Sequence, residues 1–524
     1  MGSSSSCCCD KKQDDNLPME MVRAQPMEAL KCEGELPPKE DVVIDTSVAN
    51  YIRKSYLEAM KILQVDNSIA RGISVGSSLG AGGRLWQTSP VDMDEDSRSR
   101  LWDKSKPVER FDVFFSHSWR TPGKWKVLSL LFQYGWPFVM VCWACVAGLV
   151  FVLGAFGLLS TPLIFNADVL DFKKACPFAP WVYLSGIFTV LISLLLSPYW
   201  LYLRRSPNCF LDVVSINQSD PDLMERGIYG LGGFLSISNE LRVLWSPPYL
   251  SRLWCVFELA AYRKANPSGP VCVKPLFVER QACLLMLGSY AGAGIFCVVF
   301  AVRLGLRFSL PVTMLTVTPL LFIVHGNRMF MREKHELIAS LQNFEVEAAE
   351  CRLQSDREFV LSAIAAWYGS EEAFTEYVRG PLRQELLGMS MTNLPLSYAL
   401  IIAAGPFGIA LDVVLAFIRG GAPLDAILSE FIGSCLGWAL FWVLLCIKVM
   451  WWLCDRYAAA RSSKTADYLT SLGIFMVFFV FFFAGAVISD ILYTTSLWGG
   501  VGFSVVTLFL VVLAYGKLPC RVRP

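Results

Sequence analysis

Charge is scarce in this sequence: Asp, Glu, Lys and Arg make up 17% of 524 residues, and 46 basic against 45 acidic side chains leave a formal charge of +1. With no basic excess the chain lacks the electrostatic footprint of a nucleic-acid binder, and no nucleic-acid partner is expected. Histidine is scarcer still. His117, His325 and His335 are the only three, and they are not spaced as zinc ligands, so no metal site is expected. The 17 cysteines form no spaced framework; most fall in apolar runs or on the side where basic residues collect, which points to reduced thiols rather than disulfides.

Apolar residues fill the space that charge leaves. They amount to 54% of the chain, and mean hydropathy is +0.46, far from ordinary soluble usage. Stretches of about 20 residues, enough to cross roughly 30 Å of hydrocarbon as helix, recur along the chain. They fall at 136–158, 181–203, 284–304, 308–325, 396–418, 431–453, 468–492 and 497–515. Lys and Arg collect on one side of that scheme. By the positive-inside rule both termini then face the cytosol of a multi-pass protein, with the plasma membrane as its expected location and the lipid bilayer as its first partner.

Outside the spans the chain divides into 1–106, read as linker; 107–134 and 204–280, a cytosolic domain split by the membrane hairpin 136–203; a second hairpin at 284–326; a polar helical segment at 327–394; four further spans in 396–516; and a tail at 517–524. The start fits the acylation pattern M-G-x-x-x-[ST]. Gly2 is the candidate myristoylation site and Cys7, Cys8 and Cys9 candidate palmitoylation sites, because stable anchoring takes two signals. A flexible low-complexity tip or a leader reads equally from the same residues. Asp412 and Asp490, with Lys448, are ionisable groups in or near hydrocarbon, where charge is costly; they mark either an ion path or pairing and snorkelling at span ends.

In the split domain, short apolar runs at 111–118, 209–214, 241–245 and 271–278 read as strands alternating with helices, hence a small parallel α/β sheet. Trp254 and Glu258 follow the third strand. Four helical residues turn about 400°, so indole and carboxylate leave one face and can hold a flat ring beside a sugar. The spacing also suits a core tryptophan next to a solvated acid.

The order F-D-V-F-F-S-H-S at 111–118, F-L-D at 210–212, R-G-I at 226–228, R-V-L-W-S-P-P-Y at 242–249 and S-R-L-W-C-V-F-E-L at 251–259 resembles the Toll/interleukin-1 receptor (TIR) domain. It is similar in particular to dinoflagellate-type polytopic membrane proteins that carry a split TIR-like domain. The resemblance covers about a fifth of the chain. It implies a membrane signalling protein that cleaves NAD, with NAD as substrate rather than cofactor. Glu258 would then be the catalytic acid, Trp254 a ring-stacking partner, and Phe114, Phe115 and Arg226 the lining of the opening. Self-association, or pairing with other TIR-like domains, is the partner class it implies. A non-enzymatic scaffold, and a channel or transporter with a cytosolic sensing domain, are the alternatives. The expected fold is thus a polytopic α-helical membrane protein of about eight spans with a small parallel α/β domain.

Overall fold

Val, Phe and Leu at consecutive strand positions need apolar cover on both faces of a sheet, which a parallel arrangement provides. The computed structural model describes residues 61–204, 206–301, 310–388 and 394–516. Its strands are β1 (Arg71–Ser74), β2 (Lys106–Pro107), β3 (Val113–His117), β4 (Leu163–Val169), β5 (Phe172–Phe178), β6 (Asn208–Phe210), β7 (Leu241–Trp245) and β8 (Val271–Pro275). Six of them form one sheet in the order β2-β1-β6-β3-β7-β8. Neighbours among β6, β3, β7 and β8 are parallel, while β1 and β2 add antiparallel at the edge. Val113 lies opposite Cys209 and Phe114 opposite Phe210, so the two strands that flank the first apolar hairpin pair directly.

The principal helices are α1 (Gly123–Ala155), α2 (Trp181–Leu203), α3 (Pro221–Tyr229), α4 (Leu231–Ser236), α5 (Leu253–Ala265), α6 (Leu276–Ala301), α7 (Leu310–Gln342), α8 (Gln354–Tyr368), α9 (Glu371–Tyr377), α10 (Leu396–Arg419), α11 (Leu424–Arg456), α12 (Lys464–Thr495) and α13 (Leu497–Tyr515). Among the described residues seven helices are long and apolar enough to cross a membrane: α1, α2, α6, α10, α11, α12 and α13. Their outer faces carry exposed Phe188, Leu195, Val480, Phe509 and Leu513, side chains that need a nonaqueous neighbour. The span expected at 308–325 falls on α7, which is not among the seven; its first residues lie outside the described ones. It still returns antiparallel beside α6: Gln281 Nε2 donates to Asn327 O at 2.8 Å, and Gly292 packs against Thr316.

One expectation is corrected. Residues 61–106 are not linker. Their glycines and serines serve close packing: Gly72 holds β1 against the Phe111 ring, and Trp86, 0% exposed, meets Phe115 edge-on at 5.3 Å. Between α1 and α2 the chain forms a hairpin of strands. There β4 and β5 pair from Leu163–Phe178 to Val169–Phe172, and Phe165 and Phe172 pack on Phe417 of α10. In the polar segment after α7, α8 packs on α5, with Phe257 against Phe359 and Trp367, and Glu350 donates its N–H to Ser251 O at 2.8 Å and accepts from Leu253 N at 3.0 Å.

Candidate functional site

Because β6, β3 and β7 are parallel, their carboxyl ends lie on one edge of the sheet. The chain starts at β3, steps to β6 on one side, then crosses to β7 on the other; such a reversal opens a crevice at the strand ends, where α/β sheets bind ligands. Ser116 and His117 end β3, Asp212 follows β6, Ser246 follows β7, and α5 brings in Glu258.

Glu258 is half-buried, and Ser116 Oγ donates to its Oε2. Ser116 Oγ is also 2.5 Å from the hydroxyl of Tyr249, which reaches Cys255 O at 3.3 Å. With Glu258 ionised, the single Tyr249 proton must serve either Ser116 or Cys255 O; protonating Glu258 supplies the missing one. Burial pushes the Glu258 carboxyl up to about 8, against the Ser116 bond and with a small push from the charge of Asp212. Burial likewise raises the Tyr249 phenol and the Cys255 thiol well above their ordinary values, so Cys255 is no nucleophile.

A second group lies on the other face of β3, since adjacent strand residues point to opposite sides. His117 Nδ1 is 3.2 Å from Lys126 Nζ, and His117 Nε2 is 3.6 Å from Asp212 Oδ1. The Trp119 indole donates to Asp212 Oδ2 at 2.6 Å. Removal from water alone would raise Asp212, but His117 and the Trp119 and Val213 N–H donors outweigh it and hold the carboxyl below its usual range. Burial, then the charge of Lys126, lowers the His117 imidazole. The carboxyl ends of the strands thus carry, on opposite faces of β3, one carboxyl that keeps its proton near neutrality and one held below its usual range.

The structure scatters the other residues singled out from sequence. Trp254 belongs to the α5–α8 interface: its indole N–H meets Asp356 Oδ2 at 3.3 Å, and its ring packs on Phe257 and Phe359. Phe114 and Phe115 are core, not lining. They are 0% and 2% exposed, Phe114 stacked on Phe210 at 4.3 Å and Phe115 against Trp86. Arg226 is tied to Asp66 and Ser68 and has no bond to the Glu258 group. Asp412, 1% exposed, neither snorkels nor pairs with a cation; it accepts the Val182 and Tyr183 N–H groups, both at 2.9 Å, and so caps α2 from a neighbouring helix. Asp490 accepts from the Tyr493 hydroxyl at 3.1 Å, and Lys448 lies 5.2 Å from the Tyr515 ring. Gly2, Cys7, Cys8 and Cys9 lie outside the described residues.

Ser116, Tyr249, Asp212, His117 and Lys126 were missed as site residues. The S-H-S triplet closing the first strand was the signal available for two of them. Among the described residues no group of three or more His, Cys, Asp or Glu could hold a metal, and the C-x-x-C spacing of Cys142 and Cys145 falls inside apolar α1. No protein-family model, curated protein or solved structure matches this chain.

Proposed function

We propose that this chain is a multi-pass membrane signalling protein whose α/β unit faces the cytosol and hydrolyses NAD at Glu258. The observation that carries the reading is the position of Glu258 at the reversal point of a parallel sheet, hydrogen-bonded to Ser116 at the end of the strand. The resemblance to TIR domains argues the same way, since it assigns the catalytic acid to the helix after this strand. Orientation rests on charge. Arg120, Lys124, Arg204, Arg280, Arg328, Arg332 and Lys334 lie at the α/β end, against Lys173, Lys174 and Arg419 at the other, so both termini are assigned to the cytosol. The plasma membrane is the proposed location, and self-association of like domains the proposed mode of assembly.

In the reaction the bond between the ribose anomeric carbon and the nicotinamide nitrogen breaks, its electron pair neutralising the ring. Water adds to that carbon and releases a proton, giving nicotinamide and ADP-ribose. A carboxylate beside the anomeric carbon favours the positive charge that develops there. Glu258 is poised for the task because a cationic ring entering the crevice draws off the proton that burial makes it retain. A scaffold without catalysis is the second reading. It is favoured by the engagement of Trp254, Phe114 and Phe115 in packing, which leaves the crevice without the aromatic plate foreseen.

Nicotinamide release by the purified full chain separates the two readings. For an enzyme, Glu258→Gln and Glu258→Ala lower kcat by about a hundredfold or more, and kcat/KM of the native protein rises with pH through about 8. Equal release by native protein and both variants removes catalysis and leaves the scaffold.

A further inference from the structure

The last turns of α2 carry Tyr199, Trp200 and Tyr202, the kind of aromatic belt that gathers where hydrocarbon meets headgroups. Arg204 follows at the helix end, its guanidinium 4.7 Å from the Trp200 ring. There the edge of the large sheet is pressed against the helix. Val75 N donates to Pro207 O at 2.9 Å, and Gly76 N to Ser206 Oγ at 3.2 Å. A Cβ on Gly76 would fall 2.7 Å from Tyr202 N, so only glycine permits this approach.

Beside that junction opens a cavity of about 860 Å³, bounded by β1, β2 and the end of α2. Lys104, Lys106 and Arg204 reach it, with the hydroxyls of Ser74, Ser77 and Ser206. Asp112 is the one acid in its wall, and it accepts the Asn208 N–H at 2.8 Å. Among the described residues none of the three cations is paired with an acid. Three cations, hydroxyl donors and a position at the end of an apolar helix match a phosphorylated headgroup whose acyl chains stay in the bilayer.

We propose that this cavity binds the headgroup of an anionic phospholipid, with Arg204, Lys104 and Lys106 on the phosphate oxygens. The site requires only that α2 end at the bilayer surface, and it stands whether or not Glu258 cleaves NAD. It makes the lipid a clamp between the sheet edge and the membrane.

The test is binding of a fluorescent short-chain phosphatidylinositol bisphosphate to the full chain in phosphatidylcholine nanodiscs, read by anisotropy. Competitors are short-chain phosphatidylcholine, inositol trisphosphate and inorganic phosphate. The triple variant Lys104→Ala, Lys106→Ala, Arg204→Gln is expected to bind roughly a hundredfold more weakly. Lys173→Ala, at the far end of α2, is expected to bind as the native protein does. All three substituted side chains are exposed, so the triple variant should keep the native melting temperature, which is measured alongside. Native-like binding by the triple variant, or competition by phosphatidylcholine as strong as by the anionic lipid, overturns the proposal. Equal competition by inositol trisphosphate or phosphate overturns the lipid assignment in favour of a soluble phosphate ligand.

Discussion

At the scale of single residues, the chemistry of Glu258 is set by partners far away in sequence. Ser116 is 142 residues distant, and Tyr249 is in turn 133 residues from Ser116. Neither could be assigned to the acid by spacing, because strand pairing alone brings the end of β3 under α5. The acid itself was singled out in the sequence by its four-residue spacing from Trp254 and by the motif order around it. Its raised pKa has a stability consequence. The folded state holds a proton that the unfolded chain gives up above its ordinary glutamate value, so the contribution is present at low pH and is lost as pH rises from about 4.5 to about 8. Glu258→Gln removes that dependence. Thermal melting of the detergent-solubilised protein should show the native chain falling about 2–4 °C relative to the variant between pH 5 and pH 8. Parallel curves would mean that the carboxyl does not retain its proton.

At the scale of elements, Asp412 shows how an intramembrane charge acquires a structural reason. The first N–H groups of any helix lack partners within it, and Pro180 before α2 offers no side-chain cap. The side-chain oxygens of Asp412 on α10 fill that place, accepting from two of the unpartnered donors at the positive end of the helix dipole. Asp412→Ala should destabilise the protein by about 1–2 kcal/mol, and Asp412→Asn by less, because an amide oxygen still accepts. Denaturant melting of the three proteins checks the order; an alanine variant as stable as the native chain would leave the ion-path reading in its place. Other elements escaped the sequence for definable reasons. The Gly- and Ser-rich stretch of β1 looks like linker because its glycines are chosen for contact distance. The β4–β5 hairpin turns at Leu170 and Asp171, with the non-glycine Leu170 at φ +52°, so it lacks the Asn-Gly or Asp-Gly pair that usually marks such a turn.

At the scale of the whole molecule, the first apolar hairpin is itself the crossover between two parallel strands. A crossover between parallel strands is usually a single helix; here α1, β4, β5 and α2 take its place, and β3 and β6 still meet in register. The α/β unit and the β4–β5 hairpin therefore occupy opposite ends of the helical layer. An epitope inserted after Gly369, in the exposed turn before α9, should be reached by antibody only in permeabilised cells. One inserted after Gly421, beyond α10, should be reached in intact cells. Detection of both under the same condition would refute the two-sided arrangement.

The apolar segments, and the alternation of short strands with helices between them, were determined by sequence alone, because each depends on residues adjacent along the chain. Only the tertiary structure decided that residues 61–106 extend the sheet, that α8 covers α5, that Phe114 and Phe115 are core, and that Asp412 caps a helix. Each of those outcomes depends on which surfaces meet across long stretches of chain. Excluding water from both sides of a contact is a property of the packed pair and is written in neither segment by itself.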